Sequence, residues 1–302
     1  MTKKRLNLDN LGGVSDAKIK NGVFYFAHRS TCTKFAVSKP KSSNPQPPLT
    51  MTRDTKIYGL IGYPLGHSFS IDYFNNKFES EGIDAVYMNF EIDDVRQLMS
   101  LIAQYPQLQG LNVTAPYKEQ VIPLLDELDD GAQAIQAVNV IKFMPSPDRK
   151  RPRLRGYNSD APAFGRTIEP LLAPGIDRAL VLGTGGAAKA VKYALEQLGV
   201  AVQFVSRHKR ADTLIYPELT RSTVAEHKLI VQATPLGKYP EVNQCPDFPF
   251  RFLSDKHLVY DLIYNPDETL FMRQAHERGA TVKNGLEMLL LQAFASFEIW
   301  NS

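Results

Sequence analysis

From Lys56 onward, short apolar runs alternate with stretches whose apolar residues recur at helical spacing. The apolar runs have the length of β-strands and are bounded by polar or glycine-containing segments, which predicts strands. The stretches between them repeat apolar residues every three or four positions, which predicts helices. The predicted strands of the first half are 57–61, 86–90, 108–113 and 137–143, and the predicted helices are 70–81, 95–105 and 118–125. This order predicts a mostly parallel sheet with helices on both faces.

A second series of the same kind begins after Arg155. Its predicted strands are 179–182, 200–205, 229–233 and 258–262, with a helix at 187–198 and a terminal helix at 286–300. Gly199 marks the end of the first of these helices, since glycine commonly ends a helix. The chain has 302 residues, of which 43% are hydrophobic, so it is long enough for two domains with cores of their own. We therefore predict a two-domain α/β protein with a cleft between the domains.

Residues 1–50 differ from the rest of the chain in pattern and in charge. They show no sustained helical or alternating pattern and end in the Pro- and Ser-rich stretch 42–48, which predicts a disordered extension. Met51 follows directly, so an over-long translation start explains the segment equally; a transit peptide is the alternative, because the segment is basic. Nine of the 35 Lys and Arg but two of the 32 Asp and Glu lie here, so the remainder carries a net charge of −4.

Composition excludes several classes of function. The mildly acidic body offers no basic surface for nucleic acid. No apolar run reaches the length of about 18 residues that a membrane span needs. Cys32 and Cys245 lie far apart and in no metal-ligand spacing, which predicts no metal site and fits a reducing cytoplasm. The expected partner is a small-molecule substrate, and a monomer and a homodimer both remain open.

A glycine-rich turn joins the predicted strand 179–182 to the helix that follows it. The turn consists of Gly183, Thr184, Gly185, Gly186 and Ala187. In a dinucleotide-binding domain, the first glycine permits the tight turn and the second lets the backbone approach a pyrophosphate. The N–H groups at the start of the helix then favour the phosphates. We therefore predict a Rossmann-type cofactor domain at 160–285 and a substrate domain formed by 51–159 and 286–302.

The residues after the next predicted strand distinguish between the two nicotinamide cofactors. An NAD site usually carries Asp or Glu at this strand end, and its carboxylate binds the ribose 2′-hydroxyl. Here the strand is followed by Ser206, Arg207, His208, Lys209 and Arg210, which include no acid. Arginine binds a 2′-phosphate bidentately and stacks on the adenine. This loop predicts NADP as the cofactor.

Polar clusters lie at the predicted strand ends of the first domain, where open α/β sheets bind their ligands. The clusters are the segments 66–70, 112–118, 137–139 and 156–160. Taken separately, Ser70 is explained as a helix N-cap, Asn139 as a turn residue and Lys118 as a solvated helix start. Taken together, these hydroxyls, amides, one lysine and one aspartate predict a site for a small polyhydroxylated substrate.

These segments resemble the motifs of the shikimate dehydrogenase family, and the resemblance extends over about residues 57–300. The family's Asn-Val-Thr-x-Pro-x-Lys motif matches 112–118, and its Ser-x-Ser pair matches Ser68 and Ser70. Further matches are Gly-x-Asn-Thr-Asp at 156–160, with Ser159 for Thr, Ala-Val-Asn at 137–139, Ala-Thr-Pro-x-Gly at 233–237, Asp-x-x-Tyr-x-Pro at 261–266 and Gly-x-x-Met-Leu-x-x-Gln at 285–292. The chain departs from the family pattern at Ile71, which replaces Pro, and at Phe74, which replaces a frequent His.

The resemblance implies the reversible reduction of 3-dehydroshikimate to shikimate with NADPH, a step toward the aromatic amino acids. It implies that Lys118 and Asp160 form the catalytic pair. The residues implied to bind the carboxylate and hydroxyls of the substrate are Ser68, Ser70, Thr114, Asn139, Asp160, Tyr264 and Gln292. The residues implied to contact the cofactor are 183–187, 206–210, Leu262, Gly285 and Asp130.

Two roles for Lys118 remain open. Reduction of a ketone leaves negative charge on its oxygen, and a proton donor within hydrogen-bond reach accelerates such a step by about 10²–10⁴-fold. Lys118 is either this donor or a permanently charged group that stabilises the alkoxide. For the protein as a whole, the alternatives are a quinate/shikimate dehydrogenase with relaxed substrate or NAD use, and a non-catalytic ligand-sensing relative. The presence of both Lys118 and Asp160 favours an enzyme.

Overall fold

The computed structural model describes residues 52, 54–66, 68–146 and 151–302, together with the backbone of three strands nearer the N-terminus. These strands are β1 (Asp16–Lys20), β2 (Val23–Ala27) and β3 (Cys32–Ala36), and they pair antiparallel in that order. The sequence pattern predicts no regular element in this range, so the strands differ from that expectation. Asn21-Gly22, which stands between β1 and β2, is the sequence signal of a two-residue hairpin. The rest of the predicted extension lies outside the described residues.

The first large sheet has the strand order β5-β4-β6-β8-β9-β7. Its strands are β4 (Lys56–Gly62), β5 (Ala85–Glu91), β6 (Leu108–Val113), β7 (Glu127–Leu128), β8 (Val140–Met144) and β9 (Arg153–Tyr157). Its helices are α1 (Phe69–Glu81), α2 (Leu98–Gln104), α3 (Tyr117–Gln120) and α4 (Asp130–Ile135). β4 is parallel to β5 and β6, and β7 is parallel to β9, whereas β8 is antiparallel to both of its neighbours. The sheet is therefore mixed, with parallel pairs at both edges.

Local signals in the sequence set the ends of α1. The Ser68 hydroxyl accepts a hydrogen bond from the Ser70 N–H at 3.2 Å, so Ser68, and not Ser70, is the N-cap. The helix ends at Gly82, which adopts a φ of 63°. Glycine is favoured there because a side chain disfavours the left-handed conformation. Ser70 consequently lies in the first turn of the helix.

The second large sheet is entirely parallel and has the order β12-β11-β10-β13-β14-β15. Its strands are β10 (Arg178–Leu182), β11 (Ala201–Ser206), β12 (Thr213–Ile215), β13 (Leu229–Gln232), β14 (Leu258–Asp261) and β15 (Thr281–Lys283). The remaining helices are α5 (Asp160–Ile168), α6 (Gly186–Gln197), α7 (Arg221–Glu226), α8 (Leu270–His276) and α9 (Leu286–Asn301). The strand order reverses at β10, and such a reversal opens the crevice in which doubly wound folds bind dinucleotides. The predicted α/β fold with a Rossmann-type sheet is confirmed.

Helices α5 and α9 join the two sheets. α5 packs against both α6 and α9, and α9 packs on β6 and β8. Near the end of α9, Trp300 Nε1 donates to the Ile141 carbonyl at 3.1 Å. One continuous cluster of buried side chains includes Tyr58 of β4 and Val181 of β10. The terminal helix therefore packs on the first sheet, while the division into a substrate domain of 51–159 and 286–302 and a cofactor domain of 160–285 stays a prediction.

Two predicted helices are shorter than the sequence pattern suggests. The stretch 118–125 consists of α3 and a 3₁₀ turn at Ile122–Leu124, because Pro123 has no N–H to donate to a regular helix. The stretch 95–105 begins as a 3₁₀ turn at Val95–Gln97, capped by Asp94, before α2 starts. Neither change affects the carboxyl ends of β4 and β6, which the polar clusters 66–70 and 112–118 follow as predicted.

Candidate active site

Lys118 and Asp160 meet at the centre of the candidate site. Lys118 lies in α3, directly after the carboxyl end of β6, and Asp160 is the first residue of α5. The Lys118 Nζ and the Asp160 Oδ2 are 2.5 Å apart. The Asp160 side chain is 6% exposed and that of Lys118 is 18% exposed. The sequence leaves the distance between these residues open, and the structure brings them into a direct, largely buried ion pair.

Asn139 holds the second oxygen of Asp160. Its Nδ2 donates to Asp160 Oδ1 at 2.8 Å and to the Ser159 hydroxyl at 2.9 Å. Its Oδ1 accepts from the Ser159 N–H at 2.7 Å. Both carboxylate oxygens of Asp160 are thus engaged by fixed donors, and the carboxylate can hold the Lys118 ammonium in one position.

Ser68, Ser70 and Tyr264 lie around the first turn of α1. Phe69, between the two serines, packs edge-on against Tyr264 with ring centroids 6.2 Å apart. Tyr264 comes from the loop after β14, so this loop reaches the helix start that carries both predicted hydroxyls. Burial raises the pKa of the Tyr264 phenol, which stays a neutral hydrogen-bonding group.

Thr114 and Gln292 come from two elements that pack together, the end of β6 and helix α9. Thr114 follows β6, and its N–H donates to the Ile61 carbonyl at 2.9 Å. Gln292 projects from α9, where its backbone carbonyl accepts from the Ser159 hydroxyl at 3.2 Å. Its side-chain Nε2 donates to the Leu289 carbonyl at 2.9 Å, so a ligand must compete with that bond. The Ser159 hydroxyl therefore links the backbone carbonyl of Gln292 to the Asn139–Asp160 pair.

The glycine turn has the open backbone that a pyrophosphate needs. Gly183 has a φ of 112°, and a Cβ there would lie 3.1 Å from the Ala233 carbonyl oxygen. Gly185 is the N-cap of α6 with no side-chain capping bond, and a Cβ there would meet nothing within 4 Å. The N-terminus of α6 therefore has no side-chain cap, and the space beside Gly185 is open, as a phosphate site at a helix N-terminus requires. Thr184 and Ala187, the other predicted members of the turn, flank this opening.

The same turn touches the catalytic lysine. A Cβ on Gly186 would lie 2.9 Å from the Cβ of Lys118 and 3.3 Å from that of Ala137. One turn further along α6, Lys189 Nζ lies 2.5 Å from Glu119 Oε2. The predicted phosphate turn and the predicted catalytic lysine are therefore in van der Waals contact.

The cationic segment 206–210 follows β11 at the carboxyl edge of the second sheet. The Ser206 hydroxyl accepts from the His208 N–H at 3.2 Å, which turns the chain. Lys209 Nζ binds both carboxylate oxygens of Glu218 at 2.8 and 2.7 Å. Arg207 and Arg210 are exposed at this edge, as is His208. The guanidinium groups of Arg207 and Arg210 are therefore better placed for a 2′-phosphate than the Lys209 amine, which the sequence alone does not distinguish.

Leu262 and Gly285 are packed against each other, whereas Asp130 stands apart. The Leu262 carbonyl lies against the Cα of Gly285, so closely that any Cβ at 285 would overlap it. The Gly285 N–H donates to the Ile263 carbonyl at 3.0 Å. Asp130 is exposed in the first turn of α4, which packs against α6. Among the described residues, Asp130 makes no hydrogen bond or ion pair with the glycine turn, and its contact with the cofactor stays a prediction.

Four polar residues that are not among the individually predicted catalytic, substrate or cofactor residues belong to the hydrogen-bond network of the site. They are Tyr87, Asn112, Ser159 and Ser296. Asn112 and Ser159 stand inside recognised motifs, which is the signal that identifies them. Ser296 is a fully buried hydroxyl in a mostly apolar helix, four residues after Gln292. Polar residues in apolar elements are the general signal for such networks, since a buried hydroxyl requires a partner.

Metal clusters and membrane-spanning helices are both missing from the described part of the chain. Among residues that the structure describes, no cluster of three or more His, Cys, Asp or Glu side chains has the arrangement of a metal site. Within the same residues, no helix combines the length and apolar character needed to cross a bilayer.

Comparison with known proteins identifies the family. Residues 60–141 match the family model of the shikimate dehydrogenase substrate binding domain. The chain is 37% identical over 268 residues to an NADP(+)-dependent shikimate dehydrogenase of Desulforamulus reducens, which covers 82% of this chain and 90% of that protein. The crystal structure of shikimate dehydrogenase from Aquifex aeolicus matches with a TM-score of 0.72 at 34% identity, covering 83% of this chain and 94% of that one. Shikimate 5-dehydrogenase of Thermus thermophilus, solved with NADP(H) and shikimate, matches with a TM-score of 0.69 at 29% identity, covering 81% and 93%. This chain belongs to the shikimate dehydrogenase family.

Proposed function

We propose that this protein catalyses the reversible reduction of 3-dehydroshikimate to shikimate with NADPH. Membership of the family supports the reaction, and the observation that carries it is the ion pair between Lys118 and Asp160, 2.5 Å long, beside the glycine turn of α6. A proton-bearing amine at the contact between the substrate side and the cofactor side is what reduction of a ketone requires.

The cofactor assignment rests on backbone and charge. Gly183 and Gly185 leave the turn open, and the N-terminus of α6 supplies donors for a pyrophosphate. Arg207 and Arg210 supply guanidinium groups for the 2′-phosphate that distinguishes NADP from NAD. When bound, the nicotinamide of NADPH supplies the hydride. The close contact of Gly285 with the Leu262 carbonyl leaves a backbone surface without a side chain on the cofactor side.

The substrate assignment rests on the hydroxyl and amide groups around the ion pair. In this proposal, Ser68, Ser70 and Tyr264 at the start of α1 bind one end of the substrate. Thr114, Asn139, Asp160 and Gln292 bind the hydroxyls at the other end, next to Lys118. Neutral hydroxyl and amide groups fit a polyol, since each can donate or accept according to the ligand hydroxyl that it meets.

Lys118 handles the proton in this proposal. Its Nζ donates a proton to the substrate oxygen during reduction and accepts one during oxidation. Asp160 orients the amine, because Oδ2 accepts from Nζ while Oδ1 accepts from Asn139. The Lys118 side chain is 18% exposed, so Nζ can exchange its proton with solvent between turnovers. We also expect a cytoplasmic location and a monomer or homodimer, the latter to be decided by light scattering.

The reaction is tested by mixing the protein with NADPH and 3-dehydroshikimate and following the absorbance of NADPH. Shikimate and quinate are then compared as substrates for oxidation, each with NADP and with NAD. The proposal predicts turnover with shikimate and NADP. The absence of NADPH consumption would overturn the proposal in favour of a ligand-sensing protein, and a preference for quinate would replace the substrate assignment.

The role of Lys118 is tested by pH–rate profiles of the wild type and of Lys118→Ala. If Lys118 is the titrating proton donor, its ionisation disappears from the profile of the variant. If the variant is slow but keeps the same ionisation, Lys118 acts as a charged stabiliser of the alkoxide.

A further inference from the structure

A buried chain of hydrogen bonds runs from β5 to α9. The Tyr87 hydroxyl donates to Asn112 Oδ1 at 2.8 Å, and Asn112 Nδ2 donates to the Ser296 hydroxyl at 2.9 Å. The Ser296 hydroxyl in turn donates to the Gln292 carbonyl at 2.8 Å. The second hydrogen of Asn112 Nδ2 is directed at the Asn139 carbonyl, 3.3 Å away. Three elements distant in sequence are thus tied together at one backbone carbonyl.

A second arm reaches the same carbonyl from the catalytic pair. Gln292 O also accepts from the Ser159 hydroxyl at 3.2 Å. Ser159 is bound on both sides by the amide of Asn139, which holds Asp160, which holds Lys118. The Gln292 carbonyl is therefore the point where the catalytic arm and the Tyr87 arm join.

Burial gives this chain a single geometry. Tyr87 is 2% exposed, Asn112 is 6% exposed and Ser296 is fully buried. A buried polar group left without its partner is costly, so the hydroxyls and amides have few alternatives to the bonds that they make. The Tyr87 ring is fixed further by stacking on Phe74, with centroids 4.6 Å apart and planes 15° from parallel.

The outer end of the hydrogen-bond chain is fixed to the helix that carries a predicted substrate residue. The Tyr87 N–H donates to Asn75 Oδ1 at 2.8 Å, and Asn75 Nδ2 donates to the Tyr87 carbonyl at 3.0 Å. Tyr87 is thus held to α1 through Asn75 and Phe74, about one turn after Ser70, while its hydroxyl is bonded to Asn112 of β6. The hydrogen bonds therefore connect the helix of Ser70 with Gln292, Asn139 and Asp160.

We infer that Tyr87, Asn112 and Ser296 are positioning residues for the substrate, which set Ser70 and Gln292 at a fixed separation from the Lys118–Asp160 pair. None of the three is proposed to react. They act through the groups that they hold, and the inference rests on the proposed function. Phe74 contributes by fixing the ring of Tyr87 through their stacking contact.

The test compares two buried tyrosines that each make one side-chain hydrogen bond. Tyr87→Phe removes the hydrogen bond to Asn112. The matched control, Tyr260→Phe, removes a 2.8 Å hydrogen bond to Thr167, which is not part of this hydrogen-bond network. We expect Tyr87→Phe to raise the KM for shikimate about three- to tenfold, the change that one lost hydrogen bond produces. The KM for NADP should stay within about twofold of the wild type. Tyr260→Phe should leave the KM for shikimate unchanged.

Ser296→Ala gives a second, independent measurement, because alanine suits a helix interior and leaves the size of the site unchanged. It disconnects Asn112 from the Gln292 carbonyl and should reproduce the selective rise in the KM for shikimate. An unchanged KM in Tyr87→Phe or in Ser296→Ala, or an equal rise in Tyr260→Phe, would overturn the inference. Inactivity of the wild type would instead overturn the proposed function, so the two failures are distinguishable.

Discussion

Replacing Asp160 by asparagine tests whether the carboxylate positions the lysine. Asp160 accepts from two donors, Lys118 Nζ at 2.5 Å and Asn139 Nδ2 at 2.8 Å, one on each oxygen. Asparagine has the same shape but a single acceptor oxygen, so one of these donors must face an NH₂ group. Asn139 cannot rotate to relieve the conflict, because Ser159 binds its Oδ1 at 2.7 Å and its Nδ2 at 2.9 Å. We expect the amide oxygen to face Asn139 and the Lys118 amine to be displaced.

The size of the effect follows from burial. An unpaired buried donor costs about 1–3 kcal/mol, and Lys118 can turn toward solvent because its side chain is 18% exposed. We therefore expect a loss of about 1 kcal/mol in the free energy of unfolding, at the lower end of that range. The effect on the reaction is larger, since a misplaced proton donor forfeits about 10²-fold in rate. We expect kcat/KM for shikimate to fall about 100-fold, which corresponds to about 2.7 kcal/mol of transition-state stabilisation.

The assay is steady-state oxidation of shikimate by NADP, together with urea unfolding of the same samples. Asp261→Asn is the matched control, because Asp261 is a buried carboxylate with two donors, the Ile263 N–H and the Thr269 hydroxyl. The Thr269 hydroxyl can reverse its direction, so the amide is tolerated there and kcat/KM should stay within about threefold of the wild type. If Asp160→Asn keeps more than about a third of the wild-type kcat/KM, the ion pair does not position the lysine and the reasoning fails.

Three further predictions concern the cofactor side. Arg207→Asp should raise the KM for NADP at least about tenfold and favour NAD, because it replaces a proposed 2′-phosphate ligand by an acid. The control Arg278→Asp, an exposed position near β15 at the opposite edge of the sheet, should change neither the KM for NADP nor that for NAD. Burial raises the pKa of Asp261 from 3.8 to about 6, so the native state binds the extra proton and wild-type stability falls as pH rises from about 4 to about 6. Asp261→Asn should remove this loss. Its stability relative to the wild type, measured by urea unfolding, should be higher at about pH 7.5 than at about pH 4.5 by about 2 kcal/mol; an equal difference at the two pH values would contradict the burial argument. Gly285→Ala should displace the Leu262 carbonyl and raise the KM for NADP more than that for shikimate, and wild-type kinetics in this variant would show that the contact is not needed.

Much of the fold follows from local patterns. The apolar runs that predict β4, β5, β6, β10, β11, β13 and β14 are strands in the structure, largely buried. The pattern does not reveal β9, where three of the five residues are Arg or Tyr, nor the two-residue strand β7. Neither the antiparallel direction of β8 nor its place between β6 and β9 has a local signal, because direction is set by partners elsewhere in the chain.

The candidate site shows the same division between local and distant information. Motifs identify Lys118, Asn139 and Asp160, since each stands in a short segment with a recognisable order of residues. The role of the Gln292 carbonyl has no such signal. It depends on Ser159, which is 133 residues away, and on Ser296, whose partner Asn112 is 184 residues away. Contacts of this kind arise only when the terminal helix packs on the first sheet.

Gly186 has a consequence for how this enzyme can be altered. The Cα of Gly186 faces the Lys118 and Ala137 side chains with no space for a Cβ. The absence of a side chain at 186 therefore sets how closely α6 approaches Lys118. Any side chain at 186 would move α6 away from Lys118. A series of substitutions of increasing size would therefore vary the separation between the cofactor turn and the lysine, and the dependence of turnover on that separation could be measured. Variants with altered substrate residues that keep Gly186 should therefore retain the distance between α6 and Lys118.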